Sequence, residues 1–159
     1  MQLVSTFTSK QYQLVKGSRE TLLGYCKTIA PEKFIEESPL FGRGGSIRNL
    51  LVHVNNTYQF WIQQVALGGK AKYTSHEDIR TIEDAINMFE LVDKLMEEFI
   101  QAIDSMPEEL VYEEDGEKNI IRPFDVYSHV ITHEYHHKGQ IVSLSRHLGY
   151  TPIDTDIMK

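Results

Sequence analysis

Seven residues set the strongest constraint on how this chain can fold: Val126, Val130, His133, His137, Ile141, Leu144 and Leu148 recur at intervals of three or four. That is the spacing of one inward face of an amphipathic helix, and two of the seven are histidines. A four-residue step turns an α-helix by about 400°, so the imidazoles of His133 and His137 stand one above the other, about 40° apart, and can reach a common point. A buried imidazole needs a hydrogen-bond partner or a metal, because an unpaired polar group in apolar surroundings costs about 1–3 kcal/mol. A lone histidine on such a face is usually a hydrogen-bonded core residue, and a pair asks for a third nitrogen.

Residues 46–67 offer one. Leu50, His53, Thr57, Trp61 and Gln64 or Val65 make a second helical stripe, widened by Leu51, Val54, Tyr58 and Ile62. Two helices packed through these stripes would bring His53 against His133 and His137. Three nitrogens with positions left for water or substrate make the open arrangement of a catalytic metal site rather than a closed structural one. The remaining histidines read differently: His129, His136 and His147 lie beside the stripe and His76 in a polar loop. His129 and His136 are candidates to hydrogen-bond the ligand imidazoles from behind.

Four long helices account for most of the chain. The first covers residues 6–29, with Phe7, Leu14, Val15, Ser18, Leu22, Tyr25, Cys26 and Ile29 on one side. Pro31, Pro39 and the run Gly42-Arg43-Gly44-Gly45 then break helix formation, Ser46 caps the second helix and Gly68-Gly69 end it. Thr81 with Asp84 opens a third helix that runs to Pro107, and Pro123 and Gly149 bound the fourth. Between the last two, Asp115-Gly116 flanked by short β-prone runs predicts a small hairpin. With 159 residues, 41% of them hydrophobic, residues 1–159 are expected to form one domain around one core.

Several function classes recede. A net charge of −7, with no clustering of Lys and Arg, argues against nucleic acid. No apolar run is long enough for a membrane span and residues 1–30 lack a signal-peptide pattern, so the cytoplasm is the expected location. Cys26, the single cysteine, fits a reducing compartment and the core of the first helix.

The segment Ser46-Ile47-Arg48-Asn49-Leu50-Leu51-Val52-His53-Val54, followed by His129-Val130-Ile131-Thr132-His133-Glu134-Tyr135-His136-His137-Lys138-Gly139-Gln140-Ile141 on the last helix, resembles the DinB/YfiT-like family of metalloenzymes. The resemblance covers nearly the whole chain, and its most specific part is His-His-Lys-Gly-Gln-Ile. It implies an all-α, up-down-down-up four-helix bundle binding a divalent metal, often nickel or zinc, through three histidines, which map onto His53, His133 and His137. It also implies relatives that are thiol S-transferases using bacillithiol or mycothiol, a mycothiol-dependent isomerase and proteins that are commonly homodimers.

His133-Glu134-Tyr135-His136-His137 also matches the H-E-x-x-H of zinc proteases, in which the glutamate activates a metal-bound water. No glutamate follows Glu134, Gln140 and Ser143 occupy the positions of the extended motif, and no sheet is expected that could align a peptide. Glu134 is therefore expected to be a helix-face carboxylate or one that orients a ligand imidazole. The reading that follows is a tris-histidine metal holding a low-molecular-weight thiol for attack on an electrophilic small molecule, with a non-catalytic metal-binding bundle as the alternative. Trp61, Tyr58, Tyr135 and Arg43 are candidates for the rim. Helix two is apolar on nearly two sides, through Leu51, Val54, Tyr58, Ile62 and Val65, so a homodimer with this helix near the two-fold axis is expected.

Overall fold

A computed structural model describes residues 3–42 and 45–158. The chain is mostly helical with one small sheet: α1 (Leu3–Cys26), α2 (Pro31–Ile35), α3 (Ile47–Tyr58), α4 (Ile82–Ala102), β1 (Leu110–Glu114), β2 (Glu117–Ile121) and α5 (Pro123–His147). The punctuation expected from the sequence is in place. The Ser46 hydroxyl accepts from the Asn49 amide at 2.9 Å, Thr81 and Asp84 form a reciprocal capping box, and Pro123 opens α5. Asp115 and Gly116 both take positive φ, +52° and +81°, the turn a tight antiparallel hairpin requires. Gly45 is obligatory for a second reason besides its φ of +63°: a Cβ there would lie 2.0 Å from the Ser38 carbonyl oxygen. The Ser38 amide donates to the Gly45 carbonyl at 3.0 Å, which holds Gly45 against Ser38 just before Ser46 starts α3.

The four long helices close a ring around one apolar core, α1 packing on α4, α4 on α3, α3 on α5 and α5 on α1. Polar contacts mark how they meet. Along α1 and α4 and just past their ends, Ser5 meets Asp104, Tyr12 and Arg19 meet Asp93, and Lys27 meets Glu83. Across α1 and α5, Tyr127 donates to the Thr8 carbonyl, Arg19 pairs with Glu134 and Tyr25 donates to Ser145. Beyond α5, Lys138 donates to Ser18 and to the Thr155 carbonyl, pinning the C-terminal tail to the bundle.

Two sequence expectations need correction. Phe7 and Leu14, assigned to the inner side of the first helix, are 63% and 50% exposed. The face that goes inward is Thr8, Tyr12, Val15, Arg19, Leu22 and Cys26, a stripe disguised by its threonine and arginine. And the apolar surplus of helix two is no exposed patch: Leu51, Val54, Tyr58, Ile62 and Val65 are all buried within the chain itself. In a closed ring each helix has two neighbours, and α3 has α4, α5 and the short α2 against it. Its two-sided apolarity is therefore used inside one chain, which removes the argument that placed a dimer interface there.

The second helix also changes character. After Tyr58 it continues to Ala66 as a π-helix, with the Leu67 amide donating to Ile62 five residues back. Such segments are rare and occur preferentially at functional sites. No described helix is long and apolar enough to cross a membrane.

Candidate metal centre

Two of the long helices supply the histidines. His53 comes from the middle of α3, and His133 and His137 come from one face of α5, a turn apart. Their rings form a triangle with centroid separations of 4.9, 4.7 and 4.4 Å. The Nε2 of His133 lies 3.1 Å from the Nε2 of His53 and 3.1 Å from that of His137. One nitrogen of each residue lies within 4.8 Å of the other two, a cluster that could hold a metal ion.

Protonation makes the case sharper. The amide oxygen of Gln140 accepts from His137 Nδ1 at 2.7 Å, which places the proton of a neutral His137 on Nδ1 and leaves the Nε2 lone pair pointing at His133. If His133 carries its proton on Nε2, it can donate to one neighbour, and its Nδ1 becomes a buried acceptor with no partner. If it carries the proton on Nδ1, that buried donor has no partner and lone pair faces lone pair at the centre. Neither tautomer satisfies the cluster with protons alone. A cation at the point where the nitrogens converge would take up all three Nε2 lone pairs at once, with the His133 proton on Nδ1, and neutral imidazoles are the donors that zinc, nickel, copper and iron accept. Burial, and then the other histidines, press His133 down to about 3, so its ring stays neutral and available as a ligand at ordinary pH.

The DinB family matches residues 3–159, effectively the entire chain. The chain belongs to the DinB family. No curated protein sequence matches it.

Around the three histidines this DinB chain arranges the other expected site residues unevenly. His129 stacks on His133 at 5.8 Å and meets Trp61 at 5.0 Å with the rings tilted by 60°. Trp61, on the π-helical segment, also meets Tyr112 of the hairpin at 5.2 Å. A wall of aromatic rings thus runs from the triad to β1. His136 accepts from the Gln140 amide nitrogen at 3.2 Å, so Gln140 bridges His136 and His137. Tyr135 lies under the Lys138 ammonium, 4.2 Å from its ring centroid, and helps line a cavity of about 610 Å³ beneath the C-terminal tail. Arg43 lies outside the described residues.

Glu134 and Tyr58 are found elsewhere than expected. Neighbours on a helix diverge by about 100°, so while His133 faces α3, Glu134 turns toward the middle of the ring. There its Oε1 accepts from Arg19 Nε at 2.7 Å, and its Oε2 accepts from Arg19 Nη2 at 3.0 Å and from the Tyr58 hydroxyl at 2.5 Å. The carboxylate expected to steady an imidazole instead steadies the core, and Tyr58 is fully buried beside it rather than at a rim. Burial alone would pull the Arg19 guanidinium down, but the charge and hydrogen bonds of Glu134 outweigh it and hold Arg19 above its usual range. Burial, then the charge of Glu134, raises the Tyr58 hydroxyl, which remains a donor. Cys26, buried in α1 and pushed up to about 12 by desolvation, is no nucleophile at neutral pH.

The sequence reading missed Gln140, Arg19 and Thr57. Gln140 follows His137 by three residues, a spacing that puts two side chains on one helix face, and that signal was readable. Thr57 sits on the His53 stripe; its hydroxyl donates to the His53 carbonyl at 3.0 Å and lies 3.5 Å from His133 Nε2. Arg19 gave no signal, because a charged residue on a helix normally reads as solvent-facing.

Proposed function

We propose that this DinB protein binds one divalent transition-metal ion, nickel or zinc by preference, through His53, His133 and His137, and acts as a thiol S-transferase on an electrophilic small molecule. The observation that carries the metal reading is the convergence of three imidazole nitrogens, with His133 Nε2 3.1 Å from the Nε2 of both His53 and His137. When bound, such an ion holds a low-molecular-weight thiol as its thiolate near neutral pH. In the transfer, sulfur forms a bond to the electrophilic carbon, the leaving group departs with its bonding pair, and the thiol proton passes to solvent.

The chain's own groups fit this division of labour. Gln140 fixes the His137 tautomer, and the half-buried Trp61, Tyr112 and exposed His129 offer an aromatic surface beside the triad against which an organic substrate can rest. A hydrolase of the H-E-x-x-H type is disfavoured, since Glu134 is engaged by Arg19 and Tyr58 and is not free to take a proton from water. The same reading takes the ring of helices as a single up-down-down-up bundle. At the contacts, residue numbers rise together along α1 and α5 and run oppositely along α1 and α4 and along α3 and α5, where His53 meets His137, Thr57 meets His133 and Trp61, in the continuation of α3, meets His129, which supports that order. A cytoplasmic homodimer belongs to the proposal as well, with its interface outside the buried face of α3.

Elemental analysis of untagged protein, followed by assay of the metal-loaded protein with low-molecular-weight thiols against alkylating electrophiles, tests the proposal. Stoichiometric metal with thiol-dependent consumption of the electrophile is the expected result. Stoichiometric metal without turnover would favour a non-catalytic metal-binding bundle, and absence of metal would remove both readings.

A further inference from the structure

Outside the triad, Arg19 organises a buried polar assembly to which the metal reading above gives no task. Arg19 is 4% exposed and touches two other helices: its guanidinium grips Glu134 of α5 with two hydrogen bonds, donates to Asp93 of α4 at 2.7 Å, and lies 4.7 Å from the Phe89 ring centroid of the same α4. Through Glu134, 7% exposed, it reaches Tyr58 at the end of α3. Stability alone is a poor account of such an arrangement. A buried ion pair usually contributes no more than well-packed apolar side chains of the same volume would. What charge and hydrogen bonding add is direction.

Its position says what is being directed. Glu134 follows His133, and Tyr58 follows Thr57, the residue bonded to the His53 carbonyl. The Tyr58–Glu134 hydrogen bond therefore ties α3 to α5 one residue away from the triad on α5 and about one turn beyond His53 on α3. Apolar packing between these helices is non-directional, and a slip of one residue would carry His53 about 1.5 Å along its axis. Ligand distances at a metal must hold to about 0.2 Å. Packing that tolerates the first displacement does not guarantee the second.

We infer that the Arg19–Glu134–Tyr58 assembly is a positioning device for the metal centre: Arg19 and Tyr58 hold Glu134 from opposite sides, and the Tyr58–Glu134 bond fixes the register of α3 on α5 that brings His53 to His133 and His137. The inference rests on the metal-binding reading. Arg19 acts through Glu134, and none of the three residues touches the ion.

Cobalt(II) titration of the full chain, followed by visible absorption, tests it. Tyr58→Phe removes one hydroxyl and keeps the ring; Glu134→Gln keeps the shape of the carboxylate and removes its charge. Both are expected to weaken cobalt affinity by about tenfold or more, the usual effect of losing a group that supports metal ligands, and to alter the ligand-field bands. Tyr25→Phe is the control, because it breaks a buried α1–α5 hydrogen bond to Ser145, further along the bundle. It is expected to lower thermal stability while leaving cobalt affinity and spectrum at wild-type values. Stoichiometric binding by the wild type with unchanged affinity and spectrum in both Tyr58→Phe and Glu134→Gln overturns this inference alone. Equal weakening by Tyr25→Phe overturns it too, since general loosening of the bundle would then explain the effect. A wild type that takes up no cobalt, nickel or zinc overturns the metal reading and this inference with it.

Discussion

Arg19, Glu134, Tyr58, Tyr12 and Asp93 complete one another's hydrogen bonds inside the chain, whereas His53, His133 and His137, beginning one residue away along α5, crowd their nitrogens together and leave His133 Nδ1 without a partner among the described residues. Both clusters are polar, both sit among the four long helices, and both join α3 to α5. The difference lies in where completion comes from. The first is finished by its own members, so it is part of the fold. The second turns its Nε2 atoms toward one point, where a metal ion could be held. Buried polar groups are a guide to function when the folded chain leaves them incomplete.

The largest expected effect would separate the clusters by stability. Arg19→Met strands a buried carboxylate and should cost about 3–5 kcal/mol in denaturant unfolding; adding Glu134→Leu should recover part of that loss, because the charge left behind goes too. A negligible cost for the single variant would mean that the first cluster is not the self-completed unit described. Next in size, a divalent ligand ion at a hundredfold over its Kd should stabilise the protein by about 2.7 kcal/mol. That gain should vanish in His53→Ala, His133→Ala and His137→Ala and persist in His76→Ala and His147→Ala. Metal-dependent melting of the five variants decides it. Gln140→Leu should weaken metal affinity about tenfold, some 1.4 kcal/mol, with Gln140→Glu restoring it by giving His137 Nδ1 an acceptor again. Unchanged affinity in the leucine variant would show that His137 is steered by packing alone.

The smallest expected effect is the most discriminating. Without metal, His133→Phe should leave stability within about 1 kcal/mol of the wild type, since it deletes an imidazole the fold does not satisfy. Acid should expose the same residue. Folded His133 is held down to about 3 against an ordinary 6.5, so between those values the unfolded chain binds a proton that the folded one refuses. Its contribution to metal-free stability is therefore intact above pH 6.5 and lost progressively as pH falls toward 3. Unfolding curves across that range should slope less in His133→Phe than in the wild type, and equal slopes would contradict the assignment.

The sequence spoke clearly wherever periodicity and polarity agreed. Ser46, Thr81, Asp115-Gly116 and Pro123 are local devices whose effect does not depend on the rest of the fold, and each does what its chemistry requires. The three histidines were legible because they interrupt otherwise apolar stripes. Arg19 was not, since pattern reading sends charge outward and its partners, Glu134 and Asp93, are 115 and 74 residues away in sequence. Glu134 was misassigned for a related reason: adjacency to His133 on paper becomes divergence on a helix. The π-helical stretch also escaped, because the residues it buries, Ile62 and Val65, follow Tyr58 at steps of four and three, the spacing of an ordinary α-helix.

That stretch has a bearing on how such a chain can vary. A π turn accommodates one residue more than an α turn, so a single-codon deletion or insertion between 59 and 66 can be absorbed by trading one kind of turn for the other. His53 lies upstream and would keep its place, while Trp61 would swing relative to His129 and Tyr112. Changes of length at this point offer descendants of the chain a way to reshape the aromatic wall while the three converging nitrogens stay as they are.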